Sequence, residues 1–475
     1  MFATLSLGGS RTNGIGGAML QSFRLPFGRS NRRALVASVM FIAVIYAWVA
    51  PGFVYSFRQA DQFADVVRAP WGAANTWIKA AACTYRTGKL LVGCQKDDVV
   101  VPYATAFHAD DPGHAILLGA WSLLADRPVV LTDISRLNTI LNYIGLLIVA
   151  GGLFLTGSRI IPSLFLIFAV PVVNAWHALS PHPALYGVAC MAALPSFIIL
   201  ARLRRNIVNP FALSVLFLIA FLFLVAALLL RQAVGMMGVL AVILVGCYWI
   251  WMAKRRRERI LAPIAAVILS VVLLGAPTAL LKARDLAYGL EHSTNMEQHG
   301  ISHPLFLGLG AVKNSFGIRW RDEYGYERAR EINPDIYIWS KEYYDIMWKL
   351  YLDTVISNPA EVIRVYWNKF KIALKTENQG FSPVQLWKVL LSAVILNGLS
   401  YWLFRREFWG GDALPAILVS TIFLSCFLAQ AAIIHPSPQF TSPVFLFAFL
   451  LLVAPLPGLI EIAGRTASPL GRPHE

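Results

Sequence analysis

The sequence predicts an all-α integral membrane protein of about ten transmembrane helices, with both ends cytoplasmic and two larger loops on the opposite face. Three observations predict it. Hydrophobic residues make up 57% of the 475-residue chain and charged residues only 14%, a balance foreign to soluble domains of this size. The apolar residues gather into ten segments, 34–56, 138–157, 160–176, 184–201, 210–230, 233–252, 260–281, 385–404, 413–434 and 441–463. Each is roughly 17–24 residues long, enough to cross a hydrocarbon layer of ~30 Å as a helix. The net charge of +15 falls almost wholly on one side of these segments.

The charges set the expected topology. With the tail 1–33 inside, the inside segments hold eighteen basic residues against five acidic ones. The two long outside loops, 57–137 and 282–384, hold eight against eight and thirteen against thirteen. Arg231 and Lys388, at outer span ends, supply the remainder. This is the positive-inside pattern, so the basic residues read as anchors beside lipid headgroups and not as a nucleic-acid surface. The first segment follows Arg32 and Arg33, exceeds a signal-peptide core and lacks a small-residue cleavage site. It reads as an uncleaved anchor. The expected order is a basic tail 1–33, a first span 34–56, an outside loop 57–137, spans two to seven over 138–281, an outside domain 282–384, spans eight to ten over 385–463, and a tail 464–475.

Cysteines sort by compartment. Cys190, Cys247 and Cys426 fall within spans as packing residues. Cys83 and Cys94, in the first outside loop, are spaced to close a short disulfide loop if that side is oxidising. The same loop carries Asp61 just after span one, then His108-Ala-Asp110-Asp111-Pro-Gly-His114. Ala115–Ala125 follows, with Ile116, Leu117, Ala120, Leu123 and Leu124 at helical spacing. Too short to span, it predicts a helix lying on the membrane surface. Asp133 reads as a turn stabiliser.

The second outside loop predicts two helices in its latter half. One runs from about Lys341 to Ser357. The other opens at Asn358-Pro359-Ala360-Glu361, an N-cap, a proline at the first helical position and a capping-box acid. Val362, Tyr366 and Phe370 would share one face, with Arg364, Lys369, Lys371 and Lys375 around it. Trp320, Tyr324, Tyr326, Tyr337, Trp339 and Tyr343 suit either sugar stacking or a small domain core.

Apart from Glu461 at the inner end of the last one, no acidic residue lies within the ten segments as drawn, which argues against an ion-coupled transporter. Asp110-Asp111 is the leading catalytic candidate, as a general base or as the ligand of a divalent cation; capping of the following helix is the bland alternative. Asp61 is a second candidate base. Arg231 and Lys388 suit an anionic headgroup or phosphate, or simple snorkelling at the interface. Eight of the nine histidines fall outside, among them His114, His177, His182, His303 and His435, where imidazoles suit phosphate binding or proton transfer. His299 and His303 have metal-compatible spacing, but Gly300 and Pro304 speak against a helix there.

In order and layout the chain resembles the GT-C superfamily of membrane glycosyltransferases that use polyprenyl-phosphate sugars. The matching stretch is Asp110-Asp111-Pro-Gly-His114-Ala-Ile-Leu-Leu-Gly-Ala-Trp121, an acidic residue before a juxtamembrane helix. The larger loop after span seven, Arg231 at the outer end of span five, and the last outside turn His435-Pro-Ser-Pro-Gln439-Phe440-Thr-Ser-Pro443 match the family's layout as well. The chain departs from the pattern at His114, where an aromatic is usual, and at Gln439, where an arginine is usual. About fifty residues separate span one from the acidic pair, whereas the family's catalytic acid follows span one closely.

The resemblance implies an inverting transfer from a polyprenyl-phosphate sugar donor to a lipid, glycan or protein acceptor, on the outer face of a bacterial inner membrane. Asp111 or Asp110 would be the base and Arg231 would stabilise the leaving phosphate. His114, His182, His435, Gln439 and Lys388 complete the expected substrate-binding set. Two other functions fit many spans with one large loop. A glycan polymerase or ligase would depend on Arg319, Arg321, Arg328 and Arg330. A flippase would need a polar track through the membrane.

Overall fold

The computed structural model describes residues 31–66, 72–95, 98–103, 112–179, 185–204, 206–207, 209–252, 256–291, 300–378, 384–410, 413–437 and 441–460. In chain order the helices are α1 (Asn31–Val44), a π-helical turn Ile45–Val49, α2 (Ala50–Val66), α3 (Gly72–Thr87), α4 (Pro112–Ala125), α5 (Leu131–Leu155), α6 (Ile161–Leu179), α7 (Leu185–Leu203), α8 (Pro210–Leu230), α9 (Gln232–Met252) and α10 (Arg256–Tyr288). The loop expected to face outward, called the outer domain for that expectation, follows with α11 (Ser302–Gly308), α12 (Asp322–Ile332), α13 (Lys341–Ser357) and α14 (Pro359–Lys375). The chain closes with α15 (Leu386–Gly410), α16 (Ala413–Ile433) and α17 (Val444–Val453). Two small antiparallel pairs complete the described residues: β1 (Val92–Cys94) with β2 (Val100–Pro102), and β3 (Glu377–Asn378) with β4 (Val384–Gln385).

This is an all-helical, multi-pass membrane protein. Eight of the described helices are long and apolar enough to cross a membrane. All ten predicted segments fall on helices, but 160–176 and 441–463 fall on shorter apolar ones, Ile161–Ala175 and Val444–Ile460. In the last, a turn at Ala454-Pro455 interrupts the helix, because proline lacks the amide its helix needs. The bundle is built inside out relative to a soluble protein. Leu218, Leu222, Val267, Val271, Val394 and Ile395 all face outward, where the bilayer is the solvent.

Helix α7 is the axis of the bundle, buried from Leu185 to Ala201. It lies so close to α5 that a Cβ on Gly187 would stand 2.1 Å from the Leu141 carbonyl oxygen, and one on Gly145 would stand 2.5 Å from the Gly187 Cα. Small residues permit this approach where lipid gives no hydrophobic drive to association. The Asn142 side chain adds a bond, its Oδ1 accepting from the Gly187 N–H at 2.9 Å. Nearby, Tyr143 donates to Asn174 Oδ1 at 2.6 Å, and Ser56 meets Thr139 at 3.5 Å. These bonds fasten the helices together.

Several boundaries differ from the sequence expectation. Helix α5 begins at Leu131, not 138, because Asp133 accepts from the Val130 N–H at 3.0 Å and receives both terminal nitrogens of Arg127 at 2.6 and 2.8 Å. The loop 57–137 contains helix α3, which the sequence reading missed. Helix α10 runs on to Tyr288 and so carries Asp285 within its apolar length, against the expectation of no acid in a span. Asp285 is buried and paired with Arg284 at 2.5 Å, which makes the burial tolerable. Asn358 precedes α14 but makes no side-chain cap. Glu361 instead accepts from the Ser315 N–H at 3.2 Å and from Arg364 at 2.5 Å.

Candidate functional site

The segment between the first and second predicted spans folds onto one set of span ends, the set expected to face outward. Cys83 on α3 is bonded to Cys94 on β1, with Cα atoms 5.6 Å apart, as expected. Trp77, Ala80 and Ala81 of α3 pack with Ala115 and Leu118 of α4, Ile134 of α5 and Leu281 of α10 in one apolar cluster. Arg284 donates to the Leu91 carbonyl at 2.7 Å, and the Tyr288 hydroxyl accepts from the Leu90 N–H at 3.1 Å. The outer end of α10 is thereby tied to the disulfide loop.

The predicted helix over Ala115–Ala125 is present as α4, which begins three residues earlier at Pro112. Leu123 and Leu124 turn outward, while Pro112, Gly113, His114, Ala115, Leu118, Gly119 and Ser122 are buried. Its N-terminus meets the outer end of α8. A Cβ on Gly113 would stand 2.9 Å from both Leu229 C and Leu230 N, so only glycine allows this backbone-to-backbone approach. The next residue, His114, is fully buried and stacks on Trp77 with ring centroids 4.2 Å apart. Its Nε2 lies 3.3 Å from Asn138 Oδ1. The histidine is therefore held in the packing between α3, α4 and α5.

Arg231 alone connects α8 to α9, in extended backbone with φ −158°. Its N–H donates to the Ala227 carbonyl at 2.8 Å, and its own carbonyl accepts from Val234 and Gly235 at 3.0 Å each. The chain reverses in one residue because a Cβ on Gly235 would otherwise stand 2.6 Å from Leu228 Cα. The half-buried guanidinium thus belongs to a rigid hairpin tip. The first turns of α4 and α9 both start there, and helix N-termini favour anions.

A second cluster joins the outer domain to the spans. Lys369 of α14, expected on a basic rim, is fully buried. Its Nζ donates to the carbonyls of Gly308, Ile433 and Ile434 at 2.9, 2.7 and 3.2 Å, and it lies 4.9 Å from the Tyr366 ring. The buried face of α14 is Val362, Val365, Lys369 and Ala373, not Val362, Tyr366 and Phe370. His435 lies beside this staple, its ring 4.4 Å from that of Trp320 and its Nδ1 accepting from the Ser437 N–H at 2.9 Å. Burial, and then the Lys369 charge, push the His435 imidazole down to about 4. Burial pushes the Lys369 ammonium down to about 7.

The predicted residues thus separate into groups. Gly113, next to His114, abuts Leu229 and Leu230, next to Arg231, at one end of α8. His435 sits at the domain junction. Lys388 is exposed beside Trp387, 5.7 Å from its ring. Asp61 lies on α2, which continues one and a half turns beyond Ala60; its side chain lies outside the description. Asp110, Asp111, His108, His182, His292, His299 and Gln439 lie outside the described residues. Among the described residues no three His, Cys, Asp or Glu side chains gather as a metal site. Lys369 and the Arg284–Asp285 pair were missed. The one available signal was that Lys369 follows Val362 and Val365 at seven and four residues, in the line of the buried face. Compared with family models, curated proteins and solved structures, the chain matches none.

Proposed function

We propose that the chain is a membrane glycosyltransferase acting at the outer face of a bacterial inner membrane, with ten crossings and both termini inside. The donor is a polyprenyl-phosphate sugar and the acceptor a lipid, glycan or protein hydroxyl. Asp111 or Asp110, with Asp61 as the alternative, takes the acceptor proton. The acceptor oxygen attacks the anomeric carbon, the bond from that carbon to the phosphate oxygen breaks, and polyprenyl phosphate leaves against Arg231, where developing charge meets a fixed cation. One observation carries the reading. Gly113, two residues after the acidic pair, abuts Leu229 and Leu230, immediately before Arg231. A base and a phosphate clamp on such neighbouring segments is the minimum that the transfer needs.

The test is mass spectrometry of surface glycans and lipids from a deletion strain. It is complemented with wild type, Asp111→Asn, Asp110→Asn, Asp61→Asn or Arg231→Gln at matched expression. One sugar should vanish on deletion, one Asn variant should fail to restore it, and Arg231→Gln should slow transfer about 100-fold, the usual cost of one transition-state donor. Restoration by all three Asn variants would overturn the carboxylate mechanism.

A further inference from the structure

The outer domain contains a polar chain that runs from a buried histidine to an exposed carboxylate. His303 is buried in α11, with the Tyr343 hydroxyl 2.5 Å from its Nδ1 and Asp322 Oδ1 3.1 Å from its Nε2. Burial pushes the Tyr343 hydroxyl well above its ordinary range, so it remains a donor. Nδ1 therefore accepts, and Nε2–H donates to the carboxylate. Asp322 itself is 63% exposed. A carboxylate in water needs no buried partner for its own solvation, and the chain's effect is to fix the direction of an exposed group.

Two backbone features serve the same spot. Gly325, one turn after Asp322 on α12, faces the pair so closely that a Cβ there would stand 3.1 Å from both His303 Cε1 and the Tyr343 hydroxyl. Trp339 is held at φ +76°, a left-handed conformation that side chains other than glycine rarely adopt and that clusters at binding sites. Its ring packs edge-on against His303, Tyr326 and Tyr343 at 5.2, 5.5 and 5.7 Å. Rings packed edge to face form a wall and not a cage around a cation. Trp339 and Tyr326 are both half-buried, so part of that wall is open.

We infer that Asp322, aimed by His303 and Tyr343 beside the Trp339–Tyr326 wall, anchors a carbohydrate-binding site on the outer domain. The carboxylate accepts from sugar hydroxyls, and the wall takes the C–H face of a pyranose ring. Asp322 contacts the sugar; His303 and Tyr343 are positioning residues. The site needs no transfer activity, so it stands or falls apart from the transferase reading.

The test uses the purified full-length protein in nanodiscs. Saturation-transfer difference NMR is recorded with the methyl glycosides of glucose, galactose, mannose and N-acetylglucosamine and their β-linked disaccharides. Wild type and Asp111→Asn should give equal transfer to at least one probe. Asp322→Ala and His303→Gln should weaken it at least tenfold, with unfolding midpoints near wild type for Asp322→Ala. Asp322→Asn keeps an acceptor for His303 and should still bind more weakly than wild type. The inference is overturned if no probe shows transfer at millimolar concentration. It is equally overturned if Asp322→Ala and Asp322→Asn bind as wild type does, whether or not Asp322→Ala melts earlier; the polar chain would then serve only the fold.

Discussion

Lys369 shows how far one side chain can depart from its apparent class. Its Nζ carries three donors, and three carbonyls receive them, two at the end of α16. A cation there meets the negative end of a helix. Removing it would leave buried carbonyls unsatisfied at about 1–3 kcal/mol each. The neighbouring His435 gives a measurable consequence. Burial and the Lys369 charge push its folded pKa down to about 4, below the ordinary imidazole value of 6.5, so the folded state holds it neutral. The unfolded chain takes up a proton as pH falls below about 6.5. The stability contribution is therefore complete above that pH and is lost as pH falls through about 4. Thermal unfolding followed from pH 7 to pH 4 should show this loss, and His435→Gln should flatten it. In Lys369→Met, imidazole NMR titration should give a higher pKa for His435, since one of the two depressing causes is gone; an unchanged value would remove Lys369 as a cause.

The contact of α5 with α7 depends on glycines that no hydrophobic pattern marks. An alanine at Gly187 would drive its methyl into the Leu141 backbone, and backbone cannot yield as a side-chain tip can. Overpacking of this kind costs about 1–3 kcal/mol. Gly187→Ala should lower the thermal midpoint of the detergent-purified protein. Gly151→Ala, where nothing lies within 4 Å of the added Cβ, should leave it unchanged or raise it slightly through helix propensity. Equal behaviour of the two variants would show that the close crossing is not a stability determinant. Other elements were legible in advance. The run Ala115–Ala125 gave α4 because its outward leucines recur at helical spacing. Helix α3 was missed because Gly72–Thr87 mixes alanines with Lys79, Thr84 and Arg86, and its buried face, apart from Trp77, is made of small residues that a hydrophobic count passes over.

For the complete chain, charge asymmetry predicts which side each loop occupies. In a background with Cys190, Cys247 and Cys426 changed to alanine, a cysteine at Ser357 should react with an impermeant maleimide added to intact cells. One at Arg159 should react only after lysis. The reverse pattern would invert the topology and put the proposed site in the cytoplasm. By itself the sequence determined the helical membrane class, the order and approximate limits of the apolar segments, and the disulfide pairing. These follow from composition, periodicity and spacing, which are local properties of the chain. Only the tertiary structure decided that Gly113 abuts the segment ending at Arg231, that Lys369 is an interior staple, that Asp285 is buried within α10, and that His303 and Tyr343 aim Asp322. Each depends on a contact between residues distant in sequence, and a charged side chain reads the same in sequence whether water or a set of backbone carbonyls surrounds it.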